Sequence, residues 1–434
     1  MTIVKSETTP YLAAYQAAID TTEPTWLRVR RAAAIEQFSV LGFPTRRDEA
    51  WRFTNLRRLT KAPMPPAHPA TSLPDPDAGV IESLRLAGRV CRLVLNNSAV
   101  VAAQSSGVDL PAGAWFGSIA EALETRPDLL KAAFATTDPA GNQPFAALNE
   151  ALFTGGFLLA LAPGVSFDAP FEIIHVNTDA ASHPRCAILL GEGASATVME
   201  HFTGSGAGWN NIVTCVDLGV GAKLHHVKLQ TESPAAIHLA QTRATLAQAA
   251  SYDSTVLSFG ALLSREDIQV VLAGEMADFT LNGGYFLGGQ QEATFAPFVE
   301  HRVPGCSSRQ LVKGVIGGQA HGVFLGTIAV RPGADQTDAR QTNRNLLLNA
   351  GTSVDTKPEL EILADDVKCS HGATVGDLDD SALFYLQARG IDAATARRML
   401  IGGFAADIID ASGAGETIRQ HLHRHLSVWL EHLP

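Results

Sequence analysis

A leucine-led motif returns at a nearly fixed interval through the middle of this chain. Leu190-Gly191-Glu192-Gly193-Ala194 is followed 28 residues later by Leu218-Gly219-Val220-Gly221-Ala222. Leu246-Ala247-Gln248-Ala249-Ala250 comes after a further 28, and Leu272-Ala273-Gly274-Glu275-Met276 after 26 more. Leu348-Asn349-Ala350-Gly351 lies 76 beyond, close to three more intervals. Between these points short runs alternate, as in residues 197–202 and 224–229. Strand-type alternation inside a period in the twenties marks a solenoid. One unit cannot bury its inner face alone, so the units stack into a continuous core. The reading is a mainly β protein built on a parallel β-helix, with two or three short strands per rung. A β-sandwich with accidental spacing is the competing reading.

Helical periodicity brackets this core. Leu27, Ala34, Ile35, Phe38 and Leu41 form one stripe, with Gly42 as its stop. A shorter amphipathic piece follows over residues 46–56. Residues 63–76 hold six prolines in fourteen positions, which reads as a linker. The expected organisation is therefore an N-terminal helical region over 1–62, a Pro-rich linker over 63–87, and a β-helix over 88–376. A helical interlude lies near 118–152, and a C-terminal helical region spans 377–434. In that last region Asp379 or Asp380 and then Asp392 can cap helices, with Gly390 between them. Gly402-Gly403 is expected to break the second helix before Phe404. Ile418, Leu422, Leu426, Trp429 and Leu433 line one face of the final helix.

Bulk composition narrows the function classes. The 434 residues are 46% hydrophobic, enough for a large core, and carry a net charge of −11. That balance disfavours nucleic acid as a main partner. The five cysteines are widely spaced with no C-x-x-C, which points to a reducing compartment. The first residues lack a signal-peptide pattern, and no long apolar run exists to span a membrane. The expectation is a cytoplasmic protein.

Most chemical motifs fail on inspection. There is no Gly-Lys-Ser/Thr, and residues 204–208 lack the final glycine of the dinucleotide fingerprint, so no nucleotide is expected on this chain. There is no Gly-x-Ser-x-Gly elbow. His421 and His425 share a helix face and could hold zinc, but histidines near a helix C-terminus are favoured by the macrodipole alone. His225-His226 reads as one imidazole in and one out of a strand. Cys91, Cys186, Cys215 and Cys306 read as small buried hydrophobes. Cys369 and His371 stand apart. On a strand, positions i and i+2 share a face about 7 Å apart. A thiol beside an imidazole suits iron, zinc, copper or sulfur transfer. A core thiol with a capping histidine is the bland alternative.

The residues around that pair settle the context. Asp335-Gln336-Thr337-Asp338-Ala339-Arg340-Gln341-Thr342-Asn343-Arg344-Asn345, then Lys357-Pro358-Glu359-Leu360-Glu361-Ile362 and Asp365-Asp366-Val367-Lys368-Cys369-Ser370-His371-Gly372-Ala373-Thr374, form one long block. Leu383-Phe384-Tyr385-Leu386-Gln387-Ala388-Arg389-Gly390, Gly402-Gly403-Phe404 and, upstream, Glu49-Ala50-Trp51-Arg52-Phe53-Thr54-Asn55-Leu56 extend it. Together they resemble the SufB/SufD family of iron–sulfur cluster assembly proteins, and the Lys-Cys-Ser-His-Gly-Ala-Thr string resembles the family's SufD branch.

The resemblance implies a right-handed parallel β-helix between helical regions and a non-catalytic assembly subunit of the SUF system. It implies pairing with a SufB-type subunit through the β-helices. Cys369 and His371 would then sit at the partner interface, sharing a transient iron–sulfur cluster or iron. It also implies docking of a SufC-type ATPase on the C-terminal helices, around Ala393, Arg397, Met399, Leu400, Gly402, Gly403 and Phe404. Reduced flavin in the complex, and a homodimer of the isolated chain, are compatible with it. The alternatives are a stand-alone β-helix enzyme of lyase or hydrolase type, or a SufB-type solo scaffold. Two ligands cannot close an iron site that needs about four, so the rest must come from elsewhere.

Overall fold

The computed structural model describes residues 6–62, 64, 76–135 and 143–433. Most of the Pro-rich stretch 63–76 lies outside these residues. From Phe157 onward the chain winds through parallel strands that alternate between two ten-stranded sheets. Each rung contributes one main strand to each sheet. In the first sheet, Lys223–Gln230, Ser251–Ser258, Asp278–Leu287, Ser307–Ile316, Thr337–Leu347 and Val367–Gly376 stack in sequence. In the second, Trp209–Leu218, Ile237–Leu246, Leu263–Leu272, Glu292–His301, His321–Val330 and Ser353–Ile362 do the same.

The sequence repeat is one column of the second sheet. Leu190, Leu218, Leu246 and Leu272 are direct cross-strand neighbours, all buried in the solenoid core. The column continues as His301, Val330 and Ile362. Leu348 does not belong to it. Leu348 follows the first-sheet strand Thr337–Leu347 and packs half-buried against the C-terminal helices, so that match in spacing was fortuitous. A second column at the corner is built from small side chains: Ala194, Ala222, Ala250, Ala277 and Cys306, all buried. Cys91, Cys186 and Cys215 are buried as well.

Alternation sets the inner and outer faces. In Thr337–Leu347, Thr337, Ala339, Gln341, Asn343 and Asn345 are buried inside, while Asp338, Arg340, Thr342 and Arg344 are not. Helices then cover the outer faces. Helix Thr25–Leu41 ends at Gly42, whose φ of 65° needs glycine, and packs Ile35 and Phe38 with Trp209, Ile237, Leu239 and Leu263 of the second sheet. The 49–56 motif clamps the same sheet. Trp51 lies under the Arg265 guanidinium at 3.9 Å, and Arg265 Nη1 donates to Thr54 Oγ1 at 3.1 Å. Helices Ile119–Thr125, Pro127–Ala135 and Pro144–Leu152 occupy the interlude.

The C-terminal helices are Asp380–Ala388, Ala393–Asp410 and Glu416–Glu431, the first two capped by Asp379 and Asp392. Helix Ala393–Asp410 runs unbroken through Gly402-Gly403, against the expected break. Ile401, Ala405, Ile408 and Ile409 bury against Leu229, Leu257, Phe286 and Val315 of the first sheet. That burial outweighs the cost of about 1 kcal/mol per mid-helix glycine. Gly402 also sits close to Leu430, where a Cβ would approach to 3.1 Å.

The two ends of the solenoid differ. At the start, antiparallel strand Ala114–Ser118 and loop residues Val108 and Leu110 close the core, with Phe116 5.0 Å from Phe171. At the finish, Ser353–Ile362 and Val367–Gly376 each pair with one neighbour only, and none of their residues is fully buried.

Stacked corners leave little room. A Cβ on Gly274 would fall 1.9 Å from the Gln248 backbone nitrogen of the preceding rung, whereas one on Gly288 would meet nothing. Gly274→Ala should destabilise the fold by about 1–3 kcal/mol in denaturant melts. Gly288→Ala should be near neutral.

Candidate functional site at the open end of the solenoid

Cys369 and His371 both lie on the last strand of the first sheet, Val367–Gly376. Register places Cys369 over Ala339 and His371 over Gln341. Ala339 and Gln341 are both buried inside the previous rung. The pair therefore continues the inward-facing columns, at the point where no later rung covers them. Cys369 is half-buried and packs with Ile328, Val330, Ala334 and Ala339 as part of the lid of the terminal core cluster. His371 is exposed.

The interior beneath them is polar. Gln341 Nε2 donates to Gln310 Oε1 at 3.1 Å, Asn343 Nδ2 donates to the Val312 carbonyl at 3.2 Å, and Asn345 Nδ2 donates to Asn343 Oδ1 at 2.6 Å. Gln341 Oε1 is buried with no hydrogen-bond partner, one rung below His371. Burial raises the Cys369 thiol above its usual range, and the nearby Asp338 carboxylate adds to that. The thiol is held protonated at neutral pH, so ligation requires a cation that displaces the proton.

The C-terminal helices place the other sequence candidates unevenly. Met399 and Gly403 are exposed on the outer side of helix Ala393–Asp410, and its first residue Ala393 is exposed too. Arg397, Leu400, Gly402 and Phe404 are half-buried: Arg397 Nη2 donates to the Leu348 carbonyl at 3.3 Å, and the Phe404 ring lies 4.5 Å from Lys313 Nζ. Phe384 and Tyr385 on the preceding helix are exposed as well. The stripe of the final helix is not an exposed docking face. Ile418, Leu422 and Leu426 are buried on the solenoid, and Trp429 packs 5.4 Å from Phe286. His421 is buried there too, its ring 5.0 Å from His201 and 4.7 Å from His425.

Sequence reasoning missed a charged network inside the solenoid. Glu200 is wholly buried between two imidazoles, 2.9 Å from His175 Nε2 and 2.7 Å from His226 Nε2. Behind it, His226 Nδ1 meets the Tyr252 hydroxyl at 3.1 Å. A second group joins Lys228, Glu266, His238 and Glu232: Lys228 Nζ lies 3.7 Å from Glu266, and His238 lies 2.6 Å from Glu232 and 3.2 Å from Glu266. Burial alone would raise Glu200, yet the hydrogen bonds from His175 and His226 hold its carboxyl below the usual range. His226 itself is pushed down by burial against the pull of Glu200, and one inward histidine of the adjacent pair is thus explained, while His225 lies on the outer side. No long helix among the described residues is apolar enough to cross a membrane.

The model for the SufBD core domain of SUF-system iron–sulfur cluster assembly matches residues 173–404, and the SufBD N-terminal model matches residues 81–173. The chain belongs to the SufBD family of iron–sulfur cluster assembly proteins. It is similar to the iron–sulfur cluster assembly protein SufD of Escherichia coli, with 32% identity over 87% of both chains. It is also 30% identical to a SufBD family protein of Synechocystis over 91% of this chain and 89% of that one. It is 29% identical to the chloroplastic protein ABCI7 of Arabidopsis thaliana over 92% and 85%.

The buried histidines set the pH dependence of stability. Burial lowers His183 to about 3 and His301 to about 4. These imidazoles stay neutral in the fold but take a proton near pH 6.5 when unfolded, so stability is full above that pH and falls below it. Each such group costs on the order of 2 kcal/mol at pH 5. His238 runs the other way: burial opposes its charge, but Glu232 and Glu266 raise it to about 9. Its contribution is complete below pH 6.5 and disappears as pH rises through 9. Melting temperature should therefore fall from pH 7 to 5, and a His238→Gln variant should lose less stability than wild type between pH 7 and 9.5.

Proposed function

We propose that this chain is a non-catalytic, SufD-like subunit of a cytoplasmic cluster-assembly scaffold. In this reading it pairs with a SufB-type subunit across the open end of its solenoid. Cys369 and His371 supply half of a ligand set for nascent iron or an iron–sulfur cluster, which is cargo. The observation that carries this reading is the uncovered final rung. It presents two unpaired strand edges and a thiol and imidazole on the interior columns, with nothing of the chain's own described residues to complete either. Unpaired edges are a template for another chain's strands. A partner laid over them would bring the missing ligands to Cys369 and His371.

In the same reading, a SufC-type ATPase docks on the outer side of helices Asp380–Ala388 and Ala393–Asp410. Phe384, Tyr385 and Met399, large apolar side chains left exposed on these two packed helices, support that assignment.

Co-expression with SufB- and SufC-type partners tests both parts. His371→Ala should leave folding and the pull-down of both partners intact while lowering iron and sulfide on the purified complex several-fold. Normal cluster content in that variant overturns the site assignment. Met399→Asp should lose the ATPase from the pull-down and keep the SufB-type subunit. A purified chain that builds a cluster without partners would instead identify a solo scaffold.

A further inference from the structure

Far from the open end, His175, Cys186 and Glu200 converge inside the early rungs. His175 lies on strand Phe171–Val176 and Glu200 on the adjacent strand Ser195–Thr203 of the first sheet. Cys186 comes from Arg185–Leu190 of the second sheet, across the interior. All three are buried, and one ligand atom from each lies within 4.8 Å of the other two. Two ligands of one zinc-sized ion sit about 2.0–2.3 Å from it, so they are separated by no more than about 4.6 Å. The three atoms are thus almost within reach of a shared ion without rearrangement of the backbone. The surroundings hold them in place. The His175 ring stacks on Phe202 with centroids 4.6 Å apart and planes at 9°. Glu200 is anchored through its other oxygen by His226, itself backed by Tyr252. A carboxylate ligand oriented by an outer imidazole is the arrangement that tunes metal sites.

We propose that His175, Cys186 and Glu200 form a buried site for a divalent first-row metal of zinc or ferrous type, separate from the Cys369/His371 site and resident in the fold. A nitrogen, sulfur and oxygen donor set suits those ions and not magnesium or calcium. On binding, the Cys186 S–H bond breaks, the sulfur–metal bond forms, and the proton leaves to solvent. His175 gives up its hydrogen bond to Glu200 and binds through Nε2, its ring hydrogen moving to Nδ1. The ion ties the first sheet to the second across the interior and so staples the early rungs. Because the site is closed to solvent, the ion enters as the chain folds and leaves only when it opens.

The test uses the full chain carrying Cys369→Ala and His371→Ala, which removes the terminal ligands and keeps this site independent of the assembly reading. The protein is unfolded, refolded with zinc or cobalt(II), treated with chelator and desalted. The expected result is stoichiometric metal retained by the folded protein and released by denaturant, a higher melting temperature than the metal-free refolded chain, and a thiolate-to-cobalt charge-transfer band in the near ultraviolet. Cys186→Ser should lose that band while keeping its circular dichroism. A chain that refolds to native spectra with no retained metal overturns the proposal, as does a cobalt band that survives Cys186→Ser. Should Cys186→Ser fail to fold, the metal content of the parent chain decides the matter alone.

Discussion

Parallel stacking in register is the interaction on which everything else depends. Each strand satisfies its backbone donors and acceptors on the rung before and the rung after, column over column. This makes side-chain identity a property of columns. Leucine stands over leucine and alanine over alanine, and the interior becomes a tube whose content changes only slowly along its length. It also means the stack has no internal reason to stop. The start is closed by an antiparallel strand and aromatic side chains. The finish is left with half of its backbone pairing unmade, and Cys369 and His371 lie on that rung.

The solenoid was legible because a repeat of one large apolar side chain survives in a single column. It faded where His301 and Val330 take the leucine position, and Leu348 then matched the spacing from a different place in the rung. The inner network was hidden for a related reason. In residues 197–202, apolar side chains occupy both parities: Val198 and Phe202 point inward, while Met199 packs against the C-terminal helices. With helices on the outside of each sheet, both faces are buried, and alternation no longer says which residues are inside. Placing Glu200 beside Lys228 in the stacked register, and His226 beside Ser254, would have exposed the polar interior.

The C-terminal region shows how tertiary packing overrides local preference. A Gly-Gly pair is a fair sign of a helix end, yet Ile401, Ala405 and Ile408 flank it on a face already committed to the first sheet. The stripe of the last helix is legible in the sequence, but its surroundings are not. Periodicity identifies a face that must be covered but not what covers it, and here the chain covers its own. The large apolar side chains left exposed on these helices include Phe384, Tyr385 and Met399, whose spacing forms no regular stripe.

The unequal ends of the solenoid also set a rule of valence. A stack open at both ends would add copies without limit and grow into a fibre. With one end of the described stack plugged, a partner of the same build joined at the finish would use up the free end on each side and give a closed pair that cannot elongate. The same asymmetry orders events in time. The plugged end is made first during synthesis, and the final rung emerges after every other rung, with the C-terminal helices still to come. A chain that stops before Val367 lacks the thiol–imidazole pair and presents the edge of an earlier rung in its place.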